Sequence, residues 1–215
     1  YVVKMKETKR KLSSEEEKRK ERFEKICEDM KKSGYEKHDL TVSILQANII
    51  AFIIMLPFVM FFGYLYFRIN STVNFVITIY SAFMFFLVLI ILVVFHEVIH
   101  GLIWGIFANK HFCSISFGVI WKSLTPYCTC DEPLKKWEYI IGAAMPTLIL
   151  GFGIATSSIF LNSQQLFLLS LIMIFGGGGD FLIIMKIILH KVLGRDTIYY
   201  DHPYECGVVV FEKTL

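Results

Sequence analysis

Four long apolar stretches constrain the fold of this chain more than any other feature of its sequence. They run over residues 47–67, within 72–108, over 139–161 and over 165–190. A helix needs about 20 mainly apolar residues to cross a bilayer, and each stretch contains a segment of that length. Hydrophobic residues make up 55% of the chain, more than a soluble domain of this size usually carries. The sequence therefore predicts an all-α polytopic membrane protein with four transmembrane helices.

The distribution of basic residues predicts how these helices are oriented. Residues 1–40 contain 13 lysines and arginines and the central loop 109–137 contains four, whereas the other two loops are nearly free of them. Because basic loops stay in the cytoplasm, we expect a multi-pass protein of the cell membrane with cytoplasmic N- and C-termini. The organisation predicted is a charged N-terminal region 1–40, a four-span core 41–190 and a tail 191–215.

Charge and cysteine content limit the partners and the redox environment. The net charge of +3 is too small to indicate a nucleic-acid partner, and the apolar stretches make the lipid bilayer an expected partner. All five cysteines fall in segments predicted to be cytoplasmic, so we expect no structural disulfides.

The segment Ser14–Lys32 predicts a charged N-terminal amphipathic helix, opened by a possible capping box. Its apolar residues form one narrow stripe that contains Phe23, Ile26, Cys27 and Met30. Two interpretations remain open: a helix that is solvated or lies along the membrane surface, and a helix docked at the cytoplasmic mouth of the protein.

Two segments outside the apolar stretches are typical of β-strands. Residues 112–121 are rich in aromatic and β-branched side chains with partial alternation, and residues 207–211 repeat this composition. We therefore expect a small cytoplasmic β element in which these two segments pair.

The second apolar stretch contains the sequence Phe95-His-Glu-Val-Ile-His-Gly101. On a helix, residues four apart lie on one face, so His96 and His100 can hold one metal ion, with zinc the expected cofactor. Glu97 lies beside them and is the candidate catalytic general base towards water at the metal. Ionisable groups are costly inside an apolar span, and coordination to a metal would offset that cost. The simpler alternative is a histidine pair that only hydrogen-bonds neighbouring helices.

A catalytic zinc site usually takes three protein ligands, so the two histidines need a third. Apart from His96, Glu97 and His100, the Asp, Glu, Lys, Arg and His side chains within the four spans are Asp180 and Lys186, if His190 at the edge is set aside. His100 lies 10 residues inward from Lys110, and Asp180 lies 11 residues inward from Lys191. These depths agree, which makes Asp180 the candidate third ligand; the alternative is an ion pair with Lys186.

The residues directly before Asp180 are the run Gly176-Gly-Gly-Gly179. Four glycines are costly inside a helix, so the run predicts either local unwinding beside a wet cavity or close approach of another backbone. Pro146, in the third apolar stretch, predicts a plain kink.

Together these residues resemble the site-2 protease type of intramembrane metalloproteases, and within it a bacterial family of membrane zincins. The resemblance covers roughly residues 96–212 and also includes Tyr127-Cys-Thr-Cys-Asp-Glu-Pro133 and Asp201-His-Pro-Tyr-Glu-Cys-Gly207. It implies zinc held by His96, His100 and Asp180, Glu97 as catalytic carboxylate, and a substrate helix that unwinds before cleavage.

The resulting functional hypothesis is a zinc-dependent intramembrane endopeptidase whose expected partner is a membrane-protein substrate. If the strand at 112–121 has a free edge, an unwound substrate could add to it, which makes Phe112, Ser114, Ser116 and Gly118 candidate substrate-binding residues. Alternatives are a non-catalytic zinc-binding membrane regulator and a proton or ion pathway.

Two further groups of residues admit more than one role. Cys128 and Cys130 are expected to serve strand packing rather than a second metal site, because a Cys-x-Cys pair lacks the spacing of zinc knuckles. His202 and Glu205 fit either a structural contact of the tail or a gate over the site.

Overall fold

The computed structural model describes residues 14–70, 78–120, 125–192, 196–203 and 205–213. Trp121, the last residue of the first predicted strand, lies outside these ranges. The chain is mainly helical, with two small antiparallel sheets. In chain order the elements are α1 Ser14–Lys32, β1 Tyr35–Val42, α2 Ile44–Ile69, α3 Ile79–Phe107, β2 Ile115–Ile120, β3 Thr125–Cys130, β4 Leu134–Lys135, α4 Lys136–Pro146, α5 Ile154–Phe160, α6 Gln164–Gly176, α7 Gly178–Leu189, β5 Asp196–Asp201 and β6 Cys206–Lys213.

Three described helices are long and apolar enough to cross a membrane, and a fourth span results if the bent pair α6 and α7 counts as one. The other three are α2, α3 and the continuous stretch Lys136–Phe160, which joins α4 and α5 through a π-helical segment Thr147–Gly153. Their composition indicates a multi-pass membrane protein. The exact four-span topology and its sidedness remain predictions.

Local sequence explains where α2 and α3 begin. Ser43 accepts a hydrogen bond from the backbone of Gln46, and Thr78 and Ser81 form a reciprocal capping box. The long apolar stretch within 72–108 therefore yields a 29-residue helix that starts at Ile79.

The glycine run separates α6 from α7, and the π-helical segment packs into that break. The pair α6 and α7 bends by 40° at Gly177. The fully buried Thr147 lies against it, so closely that a Cβ on Gly177 would come within 1.7 Å of the Thr147 Oγ1 atom. Gly178 lies against Ala51 of α2 in the same way. The glycines thus produce both predicted effects, a break and a close approach.

The two strands predicted from the sequence do not pair with each other. The strand β6 pairs with β1 and β5 in a four-stranded sheet of order β1-β6-β5-β4, here called the tail sheet. The strand β2 instead forms a hairpin with β3. The predicted pairing is wrong because β1, β3 and β5, which have mixed polar sequences, give little strand signal yet supply the partners. The predicted start at Phe112 is also wrong, since His111–Ser114 forms a 3₁₀ turn before β2.

The central strand of the tail sheet is buried on both faces. Val208 and Val210 pack on one side against Tyr139 and Trp104, while Val209 and Phe211 pack on the other side against α1. A strand that is covered on both faces has a continuous apolar sequence, and residues 207–211 show this pattern.

The apolar stripe of α1 is docked rather than free. Phe23 is buried against Tyr200 of the tail sheet, with the stripe residues Ile26, Cys27 and Met30 beside it. The interpretation as a solvated or membrane-surface helix is therefore wrong for the apolar face of α1.

The break at Gly177 generates a stability prediction. Gly177→Ala should lower the free energy of unfolding by about 1–3 kcal/mol, because the new methyl group collides with the buried Thr147. The measurement is thermal or denaturant unfolding in detergent. Gly176→Ala is the matched control: a Cβ there meets nothing within 4 Å, so it should be neutral or stabilising by up to about 1 kcal/mol. Equal destabilisation by both changes would contradict the packing assigned to Gly177.

Candidate metal centre

The histidines of the helix α3 face the interior of the helix bundle. His96 and His100 are 7% and 4% exposed, although α3 also carries many exposed apolar side chains. Their Nε2 atoms lie 3.2 Å apart. The one-turn spacing of the motif therefore brings two imidazole nitrogens to one point, as predicted.

Asp180 completes the group from α7. Its Oδ2 atom lies 3.2 Å from Nε2 of His96 and 3.5 Å from Nε2 of His100. Among the described residues, these three side chains form the one cluster of His, Cys, Asp and Glu whose ligand atoms could hold a metal ion. The break at Gly177 places Asp180 in the first turn of α7.

The separations fit a zinc ion. Zinc binds imidazole nitrogen and carboxylate oxygen at about 2.0–2.2 Å, and a tetrahedral arrangement of such ligands puts neighbouring ligand atoms about 3.3 Å apart. The three observed separations, 3.2, 3.2 and 3.5 Å, match that edge length. Two imidazoles and one carboxylate also form a donor set typical of catalytic zinc, with a fourth position left for water or substrate.

A backbone carbonyl orients His100 for this role. Its Nδ1 atom lies 2.9 Å from the carbonyl oxygen of Gly142 on α4. Because a carbonyl can only accept, Nδ1 carries the proton and Nε2 presents its lone pair to the metal. The hydrogen bond requires the close packing of α4 against α3: a Cβ on Gly142 would come within 2.0 Å of Nε1 of Trp104.

Trp104 holds the other side of the His100 ring. The indole stacks on the imidazole with a centroid separation of 4.9 Å and an angle of 16° between the planes. Its Nε1 donates to the carbonyl oxygen of Tyr139 at 3.2 Å. The ring of His100 is therefore fixed by a hydrogen bond at one edge and by an aromatic face.

The hairpin of β2 and β3 brings a strand beside Glu97. The backbone of Cys128 in β3 hydrogen-bonds the Glu97 carboxylate. On the other strand, Phe117 and Ile115 pack against Gly101, where a Cβ would come within 2.5 Å of the phenyl ring. Gly101 thus allows the hairpin to lie directly on the helix that carries the histidines.

The four candidate substrate-binding residues all belong to this hairpin or the turn before it. The phenyl ring of Phe112 covers Gly105 of α3, and Tyr127 covers Gly118. The hydroxyl of Ser114 donates to Glu132 and that of Ser116 donates to Asp131, both at 2.8 Å. These two hydroxyls have partners within the chain, so any strand-like contact with a substrate would have to use backbone groups.

The remaining candidates have structural contacts. Lys186 donates to the carbonyl oxygen of Thr41 at 2.9 Å rather than to Asp180, which removes the predicted alternative of an ion pair. His202 packs against Phe23 and accepts a hydrogen bond from the backbone of Glu205. These contacts favour the structural role of the tail over a gate.

Cys128 and Cys130 are buried in β3, and all five cysteines are free. Burial raises the pKa of the Cys128 thiol, and it raises the pKa of Cys130 to about 12. Both side chains belong to the buried apolar cluster that contains Trp104 and Tyr139. This supports the expectation that the pair serves packing.

Sequence reasoning missed the residues that support the ligands, chiefly Trp104, Tyr139 and Gly142. Trp104 lies four residues after His100, which would have placed it on the same helix face. A backbone carbonyl such as that of Gly142 leaves no signal in the sequence, since every residue has one.

Comparison with protein families agrees with this geometry. A family model described as "Putative zincin peptidase" matches residues 89–192, just under half of the chain. The match includes all three candidate ligands and Glu97, and it points to a zinc-dependent metalloprotease. No curated protein and no solved structure matches the chain. The resemblance to site-2 proteases therefore stays a prediction.

The metal centre generates a binding prediction. Zinc at 100 times its dissociation constant should stabilise the wild-type protein by about 2.7 kcal/mol, because the assembled ligands exist only in the folded state. His96→Ala removes one of three ligands and should abolish most of this stabilisation. Unfolding in detergent with zinc and with a chelator measures it. His38→Ala, a change at an exposed histidine of β1, should leave the zinc effect intact.

Proposed function

We propose that this chain is a zinc-dependent endopeptidase that hydrolyses peptide bonds of membrane-protein segments. The observation that carries the proposal is the tetrahedral spacing of the ligand atoms of His96, His100 and Asp180 beside the carboxylate Glu97. The candidate ligands His96 and His100 lie with Glu97 on α3, and the third candidate ligand, Asp180, lies on α7.

Zinc, when bound, would act as a Lewis acid that polarises the scissile carbonyl and lowers the pKa of water, so that water can attack near neutral pH. The chain supplies the rest. Glu97 accepts the proton of the attacking water and delivers it to the leaving amine. The hydrogen bond from Cys128 orients the Glu97 carboxylate, and Gly142 keeps His100 in the tautomer that binds the metal.

The surroundings of the site favour a membrane substrate. The outer side of α3 next to the motif consists of exposed apolar side chains, with Val94, Phe95 and Leu102 each about half exposed. In a bilayer this face contacts lipid, so a membrane-embedded segment can lie against α3 beside the motif. The basic termini and central loop support access from the cytoplasmic side.

The hairpin offers an edge for an extended substrate. The amide of Asp131 donates to the carbonyl of Ser114 across the hairpin. Because successive amides of a strand point to opposite edges, the amides of Cys128 and Cys130 point away from β2. These two amides are already bound by carboxylates. By the same alternation the amides of Phe117 and Val119 point to the outer edge of β2, which has no strand partner among the described residues. That edge is available to a substrate strand.

A non-catalytic zinc-binding regulator is the second candidate. It would need the three ligands but not Glu97. The hydrogen bond that orients Glu97 beside the ligands favours the enzyme.

Glu97→Gln separates the two functions. It should abolish cleavage of co-expressed single-span membrane proteins while zinc content stays at the wild-type level, because an amide cannot accept the proton from water. Asp180→Ala should lower zinc content itself. Glu24→Gln, an exposed change on α1, is the control and should leave both unchanged. A wild-type protein that binds zinc and cleaves none of a broad panel would support the regulator instead.

Substrate binding at the β2 edge predicts a specific effect of proline. Val119→Pro removes an outward amide without breaking the hairpin, so it should raise KM or abolish cleavage with bound zinc unchanged. Val119→Ala keeps the amide and serves as the matched control. Cleavage by the proline variant at the wild-type rate would rule out this edge.

A further inference from the structure

Asp201, the last residue of β5, joins three elements around the metal centre. One carboxylate oxygen accepts a hydrogen bond from the Tyr139 hydroxyl of α4, and the other accepts from the amide of Cys130 in β3 at 3.1 Å. Asp201 lies beyond the segment that the family model matches. Its contacts therefore connect the tail sheet to the centre from outside the family region.

The contact with Tyr139 leads to His100. The carbonyl of Tyr139 accepts from Trp104, and the indole of Trp104 stacks on the His100 ring. One turn further along α4, Gly142 holds the Nδ1 atom of that ring. A displacement of the first turns of α4 would therefore move both groups that orient His100.

The contact with Cys130 leads to Glu97. The amides of Cys128 and Cys130 point to the same edge of β3, since they are two residues apart in a strand. Asp201 accepts a hydrogen bond from the amide of Cys130, and Glu97 accepts one from the backbone of Cys128. The position of β3 along this edge thus sets the position of the donor to the catalytic carboxylate.

The chemistry of these contacts requires two acceptor oxygens. Both Tyr139 and Cys130 donate, and a carboxylate can accept from both, whereas an amide side chain offers one acceptor and one donor. Loss of hydration raises the pKa of Asp201, and the two hydrogen bonds oppose that rise. A partly buried carboxylate in a protein interior is costly, and here each of its oxygens has a partner.

We propose that Asp201 is a positioning residue for the metal centre: its carboxylate fixes α4 and β3 relative to each other, and thereby sets the orientation of His100 and Glu97. This inference rests on the proposed zinc peptidase function. It assigns to the tail sheet a role in catalysis rather than in stability alone.

Asp201→Asn and Tyr139→Phe test the proposal in the full-length protein in detergent. Loss of a group that orients a metal ligand without touching the metal lowers metal affinity or activity about 10–100-fold, so we expect zinc affinity and kcat to fall by that order with KM unchanged. Zinc affinity is measured by competition with a chromophoric chelator, and kcat with a single-span substrate. The visible absorption bands of the Co²⁺-loaded protein should shift, because they report the coordination geometry to which His100 contributes.

The same sheet provides a matched control pair. Asp196 lies on β5 as well, and it accepts from the hydroxyl of Tyr35 at an exposed position. Asp196→Asn and Tyr35→Phe should leave zinc affinity, Co²⁺ spectrum and kcat at wild-type values. The double variant Tyr139→Phe with Asp201→Asn should lose less than the product of the single losses, because both changes break the same hydrogen bond.

The outcomes are distinct. Wild-type zinc affinity, Co²⁺ spectrum and kcat in both test variants would overturn the positioning role, and so would equal losses in the control pair. If Asp201→Asn does not fold, the test is made with Tyr139→Phe, which removes only the hydroxyl that donates to Asp201. A wild-type protein that binds zinc but cleaves nothing would refute the peptidase, while zinc affinity and the Co²⁺ spectrum would still report on Asp201.

Discussion

The structure depends on the convergence of two imidazoles and one carboxylate inside an apolar helix bundle. Each of these groups is costly to remove from water, and the cost is offset when they share a divalent cation and when their remaining polar atoms are hydrogen-bonded. The ring of His100 has a partner for each of its polar atoms. Its Nε2 atom faces the ligand cluster, its Nδ1 atom is hydrogen-bonded to Gly142, and one face stacks on Trp104. Close helix packing at Gly142 and the break at Gly177 both follow from that requirement.

The two small sheets take part in the same arrangement. The hairpin lies on α3 through Gly101 and brings an amide to Glu97, and the tail sheet holds α4 and β3 through Asp201. The helix α1 ties the two sheets together, since Phe23 packs on the tail sheet and Arg22 forms an ion pair with Asp131 of the hairpin. The two sheets thus act on Glu97 and His100 through a few intervening contacts.

The sequence predicted those parts of the molecule whose signals are local or compositional. Apolar length located the helices, the spacing of His96 and His100 located the candidate metal site, and scarcity of ionisable groups in the apolar stretches pointed to Asp180. Strand pairing could not be obtained in this way, because the partners of β6 are strands with mixed polar sequences that pair over long separations. The support of His100 was equally hidden, because it comes from the backbone of Gly142. The docking of α1 was left open since a narrow apolar stripe fits a membrane surface as well as a sheet.

The bend between α6 and α7 divides the three candidate metal ligands between two different supports. Both histidines lie on one uninterrupted helix, whereas Asp180 begins a short helix that is separated from its predecessor by the bend at Gly177. A small rotation at that joint moves the carboxylate and leaves the imidazole pair in place. An ion shared by these three groups would therefore be held with a strength that depends on this one bend.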